Sequence, residues 1–209
     1  MAPERFLPSR HAFAFSNAWP AGPAVVLATP FGRLGIGEAG AGLCGGMVFA
    51  ALDYWHAGVV PPTRQPERGE RLYRFVVRRL VQSWQVPFGV ARYYRWMLRG
   101  DGDVIRRTVA AQWPAIRADL DRGVPVALGV VVARSARPSQ LVHNHQVLAY
   151  GYETDGAAVT VRVYDPNRGP DDGVVIRFDG GRFTHNLDLD GPVRGFFRTP
   201  YRPVRPPSA

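Results

Sequence analysis

The chain has a single cysteine, Cys44, which stands in the segment GLCGGM at residues 42–47. Apolar residues recur at spacings of three and four after it, which predicts a helix that starts near Cys44 and ends before Gly58. A thiol in the first turn of a helix lies among free backbone N–H groups at the positive end of the helix dipole, and this favours the thiolate. Flanking glycines, Gly45 among them, would leave N–H groups free to hold an oxyanion. The alternative is a small buried residue that packs a tight helix start.

A second candidate, His145, lies in the segment HNHQVLAYGY at residues 143–152. It opens a predicted strand, where it could serve as a base or simply cap the strand edge. His143 would project to the same side if the strand began earlier, so spacing leaves the choice between them open. The two histidines could also chelate a metal. Because no cysteine or glutamate ligand pattern accompanies them, no metal site is predicted.

The third candidate is Asp165, in the segment VYDPN at residues 163–167. It ends a strand that should pair with the His145 strand through a turn at residues 154–157, which would return Asp165 to the neighbourhood of His145. A carboxylate there can accept a hydrogen bond from the imidazole and fix its tautomer. Asn167 is the alternative orienting residue, and Asp-Pro-Asn is also ordinary turn chemistry.

The remaining pattern predicts the elements that must position these side chains. Residues 24–37 favour two short strands around a Pro/Gly turn. Helices are predicted from Gly69 onward, at Val90–Leu98 and at about Asp103–Leu120, the last interrupted by Pro114. After Gly123 the period changes and strands are predicted at 124–133, 145–153, 158–166, 174–178 and 193–198. The predicted fold class is therefore α+β, with an N-terminal helical part, including the Cys44 helix, packed on a C-terminal antiparallel β-sheet.

Length and composition bound the organisation of the chain. Its 209 residues suit one domain, predicted at 1–199 with a helical insert at about 69–121, followed by a disordered Pro/Arg tail at 200–209. All 26 basic residues are arginine, and the formal net charge is +9. That charge favours anionic partners. Because the arginines are spread along the chain without a known binding motif, no nucleic-acid partner is expected.

Three features bear on the compartment. No apolar run approaches the roughly 18–20 residues that a membrane-spanning helix needs. The N-terminus lacks the continuous apolar segment of a secretory signal, so a cytoplasmic protein is predicted, with signal-independent export as the open alternative. A lone thiol cannot form an intramolecular disulfide, and it fits a reducing compartment or a thiol with a chemical role.

Taken in chain order, these motifs resemble the papain-like cysteine peptidases, and among them the bacteriocin-leader-processing branch found as a domain on some ABC transporters. Cys44-Gly45 matches that family's nucleophile at a helix start. His145 heads a strand of the form His-x-Val-x-x-x-Gly, and Asp165-Pro166 matches the family's Asp-Pro pair. The strand after Gly123 also has a counterpart. The resemblance covers roughly residues 36–180.

The resemblance implies a papain-like fold and a triad of Cys44, His145 and Asp165. It further implies hydrolysis of a peptide or amide bond in a peptide or protein substrate through an acyl-thioester, without a cofactor. A transferase would differ only in the final acceptor.

One residue departs from the family. Papain-like enzymes carry a glutamine a few residues before the nucleophile that helps to hold the oxyanion, whereas the residue six before Cys44 is Glu38. A carboxylate there would repel an oxyanion unless it were protonated. Loss of one oxyanion donor costs on the order of 10²–10³ in rate. The alternative function is therefore a catalytically inactive papain-like fold that binds a peptide or a protein.

Overall fold

The computed structural model describes residues 4–20, 22–29, 32–38 and 42–208. Its helices are α1 Pro8–His11, α2 Cys44–His56, α3 Arg71–Ser83, α4 Phe88–Met97, α5 Asp101–Arg107 and α6 Trp113–Asp121, with a π-helical turn at Thr108–Gln112 and a 3₁₀ helix at Pro138–His143. Its strands are β1 Pro23–Thr29, β2 Gly32–Glu38, β3 Val126–Val131, β4 His145–Asp155, β5 Ala158–Tyr164, β6 Val175–Phe178, β7 Phe183–His185 and β8 Gly195–Arg198.

The strands form two antiparallel sheets. β1 pairs with β2 as a hairpin, and the other six strands form one sheet in the order β7-β6-β5-β4-β3-β8. In its centre Val130 pairs with His145, and Leu148 pairs with Tyr164. The prediction of an α+β fold with an antiparallel sheet is confirmed at this level.

Helix α2 runs through the middle of the molecule. Every residue from Gly45 to Trp55 is buried, as expected of a helix that is apolar on all sides. One side packs on the sheet residues Ala127, Leu148 and Tyr150. Aromatic side chains of the N-terminal segment cover another side, namely Phe6, Phe13, Phe15 and Trp19. Cys44, the first residue of this helix, is therefore held by a helix that is packed on all sides.

Helix α3 lies against α2 at very short range because Gly46 has no side chain. A Cβ atom at Gly46 would lie 2.3 Å from the carbonyl oxygen of Val76 in α3, well inside van der Waals contact. The glycines that follow Cys44 thus serve helix packing as well as the local chemistry of the helix start.

Helix α6 covers the opposite face of the sheet. Its residues Trp113 and Ile116 pack on Val126, Val147 and Val161. All six residues of β3 are buried, as is typical of a continuous apolar run in a strand that is covered on both faces.

Two elements differ from the predictions made from the sequence. The helix expected from Asp103 to Leu120 is divided, because a π-helical turn at Thr108–Gln112 separates α5 from α6. Pro114 lies in the first turn of α6, where a backbone N–H would have no acceptor within the helix, so its absence costs no helical hydrogen bond. Strand β7, only three residues long, was not predicted.

The composition predicts a disordered tail at 200–209. In the structure residues 200–208 lie against α2 and α3, whereas Ala209 lies outside the described residues. The Tyr54 hydroxyl donates to the carbonyl oxygen of Pro207 at 3.1 Å, and the N–H of Val204 donates to Asp53 Oδ1 at 2.8 Å. The composition of the tail is typical of solvated chain, but its backbone satisfies buried polar groups of α2. We call residues 200–208 the C-terminal strap.

Across residues 4–20, 22–29, 32–38 and 42–208, no helix combines the length and the apolar character that crossing a membrane requires.

Candidate active site

Cys44 is the first residue of α2 and is partly exposed. The first backbone hydrogen bond of the helix runs from the N–H of Met47 to the carbonyl oxygen of Leu43 at 2.9 Å. The N–H groups of residues 44–46 therefore have no acceptor within the helix, as at any helix N-terminus. These donors and the helix dipole surround the sulfur with positive potential.

His145 is the first residue of β4, and its side chain is almost completely buried. Its Nε2 donates a hydrogen bond to Asp165 Oδ1 at 2.7 Å. Because Nε2 is occupied, Nδ1 is the ring nitrogen that remains for the hydrogen bond between His145 and the Cys44 thiol. The imidazole thus stands between a sulfur and a carboxylate.

Asp165 is fully buried at the end of β5 and has no contact with solvent. Besides the imidazole, Oδ1 accepts the N–H of Asn167 at 3.0 Å, and Oδ2 accepts the N–H of Asp188 at 3.0 Å. Burial raises the pKa of Asp165. The interactions with His145 and these two N–H groups lower it by more than burial raises it, so the carboxyl pKa lies below its ordinary value. Asp165 is therefore an ionised acceptor.

The thiol and the imidazole shift each other in opposite directions. Burial raises the pKa of Cys44, but the charge and hydrogen bond of His145 and the backbone N–H groups of Gln146 and Gly45 lower it below its ordinary value. Burial lowers the pKa of His145, whereas the Cys44 thiolate and Asp165 raise it to about 10. These shifts favour a thiolate–imidazolium pair at neutral pH, which is the reactive form of a cysteine nucleophile.

The other residues singled out in the sequence have different positions. Gly45 packs tightly, since a Cβ atom there would lie 2.3 Å from Ser83 Oγ. Asn167 supports Asp165 through its backbone N–H and donates its side-chain amide to the Asp188 carbonyl at 2.7 Å, so it does not orient the imidazole. His143 is exposed at the end of the 3₁₀ helix and therefore does not share the direction of His145. Glu38 ends β2, and its side chain lies outside the described part of the chain.

Asn17 joins the loops on the two sides of the site, a role that the sequence did not predict. Its Oδ1 accepts the N–H of Leu43 at 2.6 Å, and its Nδ2 donates to Asn167 Oδ1 at 2.9 Å. Gly42 has a φ of +94°, and a Cβ atom there would lie 2.4 Å from Asn17 Nδ2. A lone amide within the aromatic segment FAFSNAW was the available signal.

Tyr93 approaches the site from α4. Its hydroxyl donates to the backbone oxygen of His145 at 3.1 Å. Burial raises the pKa of Tyr93, and the nearby Cys44 thiolate raises it further. The hydroxyl reaches this position because Gly129 in β3 has no side chain, since a Cβ atom there would lie 2.6 Å from the hydroxyl oxygen. Tyr93 thus fixes the backbone that carries the imidazole.

Among the residues that the structure describes, no group of three or more His, Cys, Asp or Glu side chains could hold a metal ion. Cys44, His145 and Asp165 instead form a linear array that can do acid–base and nucleophilic chemistry.

No protein-family model, no curated protein and no solved structure matches the chain.

Proposed function

We propose that this chain is a papain-like cysteine hydrolase that cleaves a peptide or amide bond. The supporting observation is the imidazole of His145, which is held on Nε2 by the buried Asp165 and hydrogen-bonded on its other side to the Cys44 thiol at the tip of α2. Nucleophile, base and orienting carboxylate then occur in the roles that the papain-like resemblance implies.

In the acylation step the Cys44 thiolate attacks the carbonyl carbon of the substrate. Negative charge develops on the carbonyl oxygen, where the free N–H groups at the start of α2 can donate hydrogen bonds. The imidazolium of His145 then gives its Nδ1 proton to the leaving nitrogen as the C–N bond breaks. The products are the free amine and an acyl-thioester on Cys44.

In the deacylation step neutral His145 removes a proton from water while the water oxygen attacks the thioester carbonyl. The C–S bond breaks, the carboxylic acid leaves and the thiolate–imidazolium pair is restored. Asp165 accepts from Nε2–H throughout, so it keeps Nδ1 directed at the sulfur and stabilises the imidazolium.

Glu38, in the position of the family's oxyanion glutamine, supports a second candidate, an inactive papain-like fold that binds a peptide or a protein. With backbone donors alone, acylation would be slower by on the order of 10²–10³. The two candidates differ in whether an acyl group is transferred to the thiol.

The pH dependence of Cys44 alkylation by iodoacetamide tests the nucleophile. We expect the unmodified protein to be alkylated at pH 6–7 faster than an ordinary thiol, because the His145 imidazolium lowers the thiol pKa. In His145→Gln the rate should rise only toward about pH 8.5, and at pH 6.5 it should be roughly tenfold lower. His143→Gln is the matched control and should behave like the unmodified protein. A profile that rises only near pH 8.5 in the unmodified protein would contradict the proposal.

An acyl donor separates the two candidates. With p-nitrophenyl acetate, the hydrolase should release a burst of one equivalent of nitrophenolate, form an acetyl adduct on Cys44 and then turn over slowly. Cys44→Ser should lose both the burst and the adduct. Rapid alkylation without any acyl adduct would favour the binding protein.

A further inference from the structure

A cavity of about 770 Å³ lies far from Cys44, between the exposed face of α3, the end of α2 and the C-terminal strap. Four arginines line it, three from α3 and one from the strap: Arg71, Arg74, Arg78 and Arg205. The three on α3 are spaced by three and four residues, so they share one face of the helix. Its volume is in the range of small-molecule sites, roughly 300–1,000 Å³.

Among the described residues, no carboxylate neutralises the positive charge of this cavity. The lining residues that the structure describes include no Asp or Glu. Among the described residues, none of the four arginines forms an ion pair with a carboxylate. Arginines elsewhere on the surface do, for example Arg64 with Glu70 and Arg162 with Glu153. Four guanidinium groups that face one volume without counter-charges repel each other, and an anion would relieve that repulsion.

Apart from Ser208, the rest of the lining is apolar. Phe75 is almost fully buried, and Pro206 and Pro207 face it from the strap. The guanidinium of Arg78 lies 5.3 Å from the centroid of the Phe75 ring. The wall of the cavity beside the positive charge is therefore apolar, formed by Pro206, Pro207 and the edge of Phe75.

The strap wall of the cavity is fixed in place. The hydroxyl of Tyr54 donates to the carbonyl oxygen of Pro207 at 3.1 Å, and the buried Arg79 donates to the carbonyl oxygen of Arg202 at 3.0 Å. At the end of α2, the carbonyl oxygens of Asp53, Tyr54 and Trp55 accept the N–H groups of residues 57–59, and Ala57 and Val59 line the cavity. The strap backbone is therefore held in place before a ligand binds, which lowers the cost of ordering this wall.

We propose that this cavity binds a small organic phosphate, with the phosphoryl group held by the arginines and an apolar or aromatic body against Phe75 and the prolines. Guanidinium groups match the oxygen geometry of phosphate in bidentate hydrogen bonds. A doubly charged phosphoryl group also offsets more of the local positive charge than a carboxylate does.

This site is separate from the thiol. Cys44 is the first of the thirteen residues of α2 and the cavity lies at the other end of the helix, about 18 Å away at 1.5 Å per residue. The proposal therefore does not depend on the cysteine chemistry, and Cys44→Ala should bind the phosphate as the unmodified protein does.

Calorimetric titration of the full chain with phenyl phosphate at low salt tests the proposal, with phenylacetate and inorganic phosphate as comparison ligands. We expect phenyl phosphate to bind most tightly, because only it has both the dianionic group and the ring. The double substitution Arg74→Gln with Arg78→Gln should weaken its binding at least tenfold. Arg177→Gln with Arg182→Gln removes the same charge from exposed positions at β6 and β7 and should change the affinity less than twofold.

Two further titrations distinguish the source of the phosphate, one with an RNA oligonucleotide and one with vesicles containing phosphatidylserine. Absence of phenyl phosphate binding would overturn the proposal, as would an equal loss in both double variants. Binding of only the oligonucleotide or only the vesicles, lost in the Arg74/Arg78 variant, would also overturn it and would assign the arginines to a polymer or a lipid surface.

Discussion

Asp165 has no solvent contact, yet each of its hydrogen bonds favours the ionised carboxylate. A buried charge is tolerable only when it is paired and hydrogen-bonded, and here three donors meet that requirement. Their arrangement explains why Asp165 can hold the imidazole of His145 without taking its proton. The carboxylate is an immobile hydrogen-bond acceptor that orients the imidazole ring.

At the same scale we predict that Asn17→Ala lowers both the free energy of unfolding and the reactivity of the Cys44 thiol. The substitution removes the acceptor of the Leu43 N–H and the donor to Asn167, which should cost about 1–3 kcal/mol in the free energy of unfolding. Because Leu43 caps the Cys44 helix, alkylation by iodoacetamide at pH 6.5 should slow as well. Urea denaturation and the alkylation rate measure the two effects.

The control for that prediction is Asn186→Ala. Asn186 also bridges two backbone segments, with its Oδ1 accepting the N–H of Val175 and its Nδ2 donating to the Gly173 carbonyl. It is exposed and lies far along the sheet, so stability should fall by less and alkylation should not change. Equal alkylation rates in the Asn17 variant and the unmodified protein would contradict a positioning role for Asn17.

The sequence could predict only part of the site, because some of its residues follow local patterns and others depend on contacts between distant segments. A thiol at a helix start, a histidine at a strand start and a hairpin are local patterns, and they led to the neighbourhood of Cys44, His145 and Asp165. Asn17 and Tyr93 act through backbone atoms that lie far away in the sequence. No local periodicity indicates such partners, because they exist only once the layers have packed.

At the scale of elements, the close contact between α2 and α3 determines how firmly Cys44 is held. We predict that Gly46→Ala lowers the free energy of unfolding by about 1–3 kcal/mol, because a Cβ atom at 2.3 Å from the Val76 carbonyl oxygen forces the helices apart. Urea denaturation measures the loss. The displaced helix start should also slow alkylation of Cys44.

Gly102→Ala is the matched control for a glycine inside a helix. A Cβ atom at Gly102 would meet nothing within 4 Å. The substitution should therefore stabilise the protein by about 0.5–1 kcal/mol through the lower entropy of the unfolded chain. A similar loss in both variants would show that the α2–α3 contact is not what constrains Gly46.

The elements themselves were predicted where the apolar period is long. The apolar run of β3 and the β4–β5 hairpin that leads to Asp165 are rich in β-branched residues, and the structure has strands there. β7 is too short for any period to show. The break between α5 and α6 follows from tertiary contacts, since the buried Thr108 hydroxyl donates to the Phe196 carbonyl oxygen at 3.0 Å.

At the scale of the whole molecule, the C-terminal strap hydrogen-bonds to a buried ion pair that links α2 to α3. Arg79 Nε lies 2.7 Å from Asp53 Oδ2, and the Tyr201 hydroxyl donates to Asp53 Oδ1 at 2.7 Å. The guanidinium also stacks over the rings of Phe49 and Tyr201. Tertiary burial of this kind explains why a segment of solvated composition becomes part of the fold.

We predict that Asp53→Asn lowers the free energy of unfolding by about 3–5 kcal/mol, because it leaves the Arg79 charge buried without its counter-charge. Thermal and urea denaturation measure the loss. Glu153→Gln removes a carboxylate from the exposed pair with Arg162 and should cost less than about 1 kcal/mol.

Should Asp53→Asn fail to fold, Tyr201→Phe provides the milder variant. It removes one hydrogen bond to Asp53 and should cost about 1 kcal/mol. Stability unchanged in Tyr201→Phe together with a loss below 1 kcal/mol in Asp53→Asn would contradict a stabilising role for the strap.

The hydrogen bonds that complete the site and the strap span most of the chain, with 150 residues between Asn17 and Asn167 and 153 between Tyr54 and Pro207. During synthesis at roughly 5–20 residues per second, Cys44 precedes its histidine and aspartate by on the order of ten seconds. A nascent chain therefore carries an ordinary thiol, with neither an imidazolium beside it nor a fixed helix start. The proposed thiolate–imidazolium pair needs His145 and Asp165 in place beside α2, so the proposed nucleophile is complete only after both have been synthesised and folded.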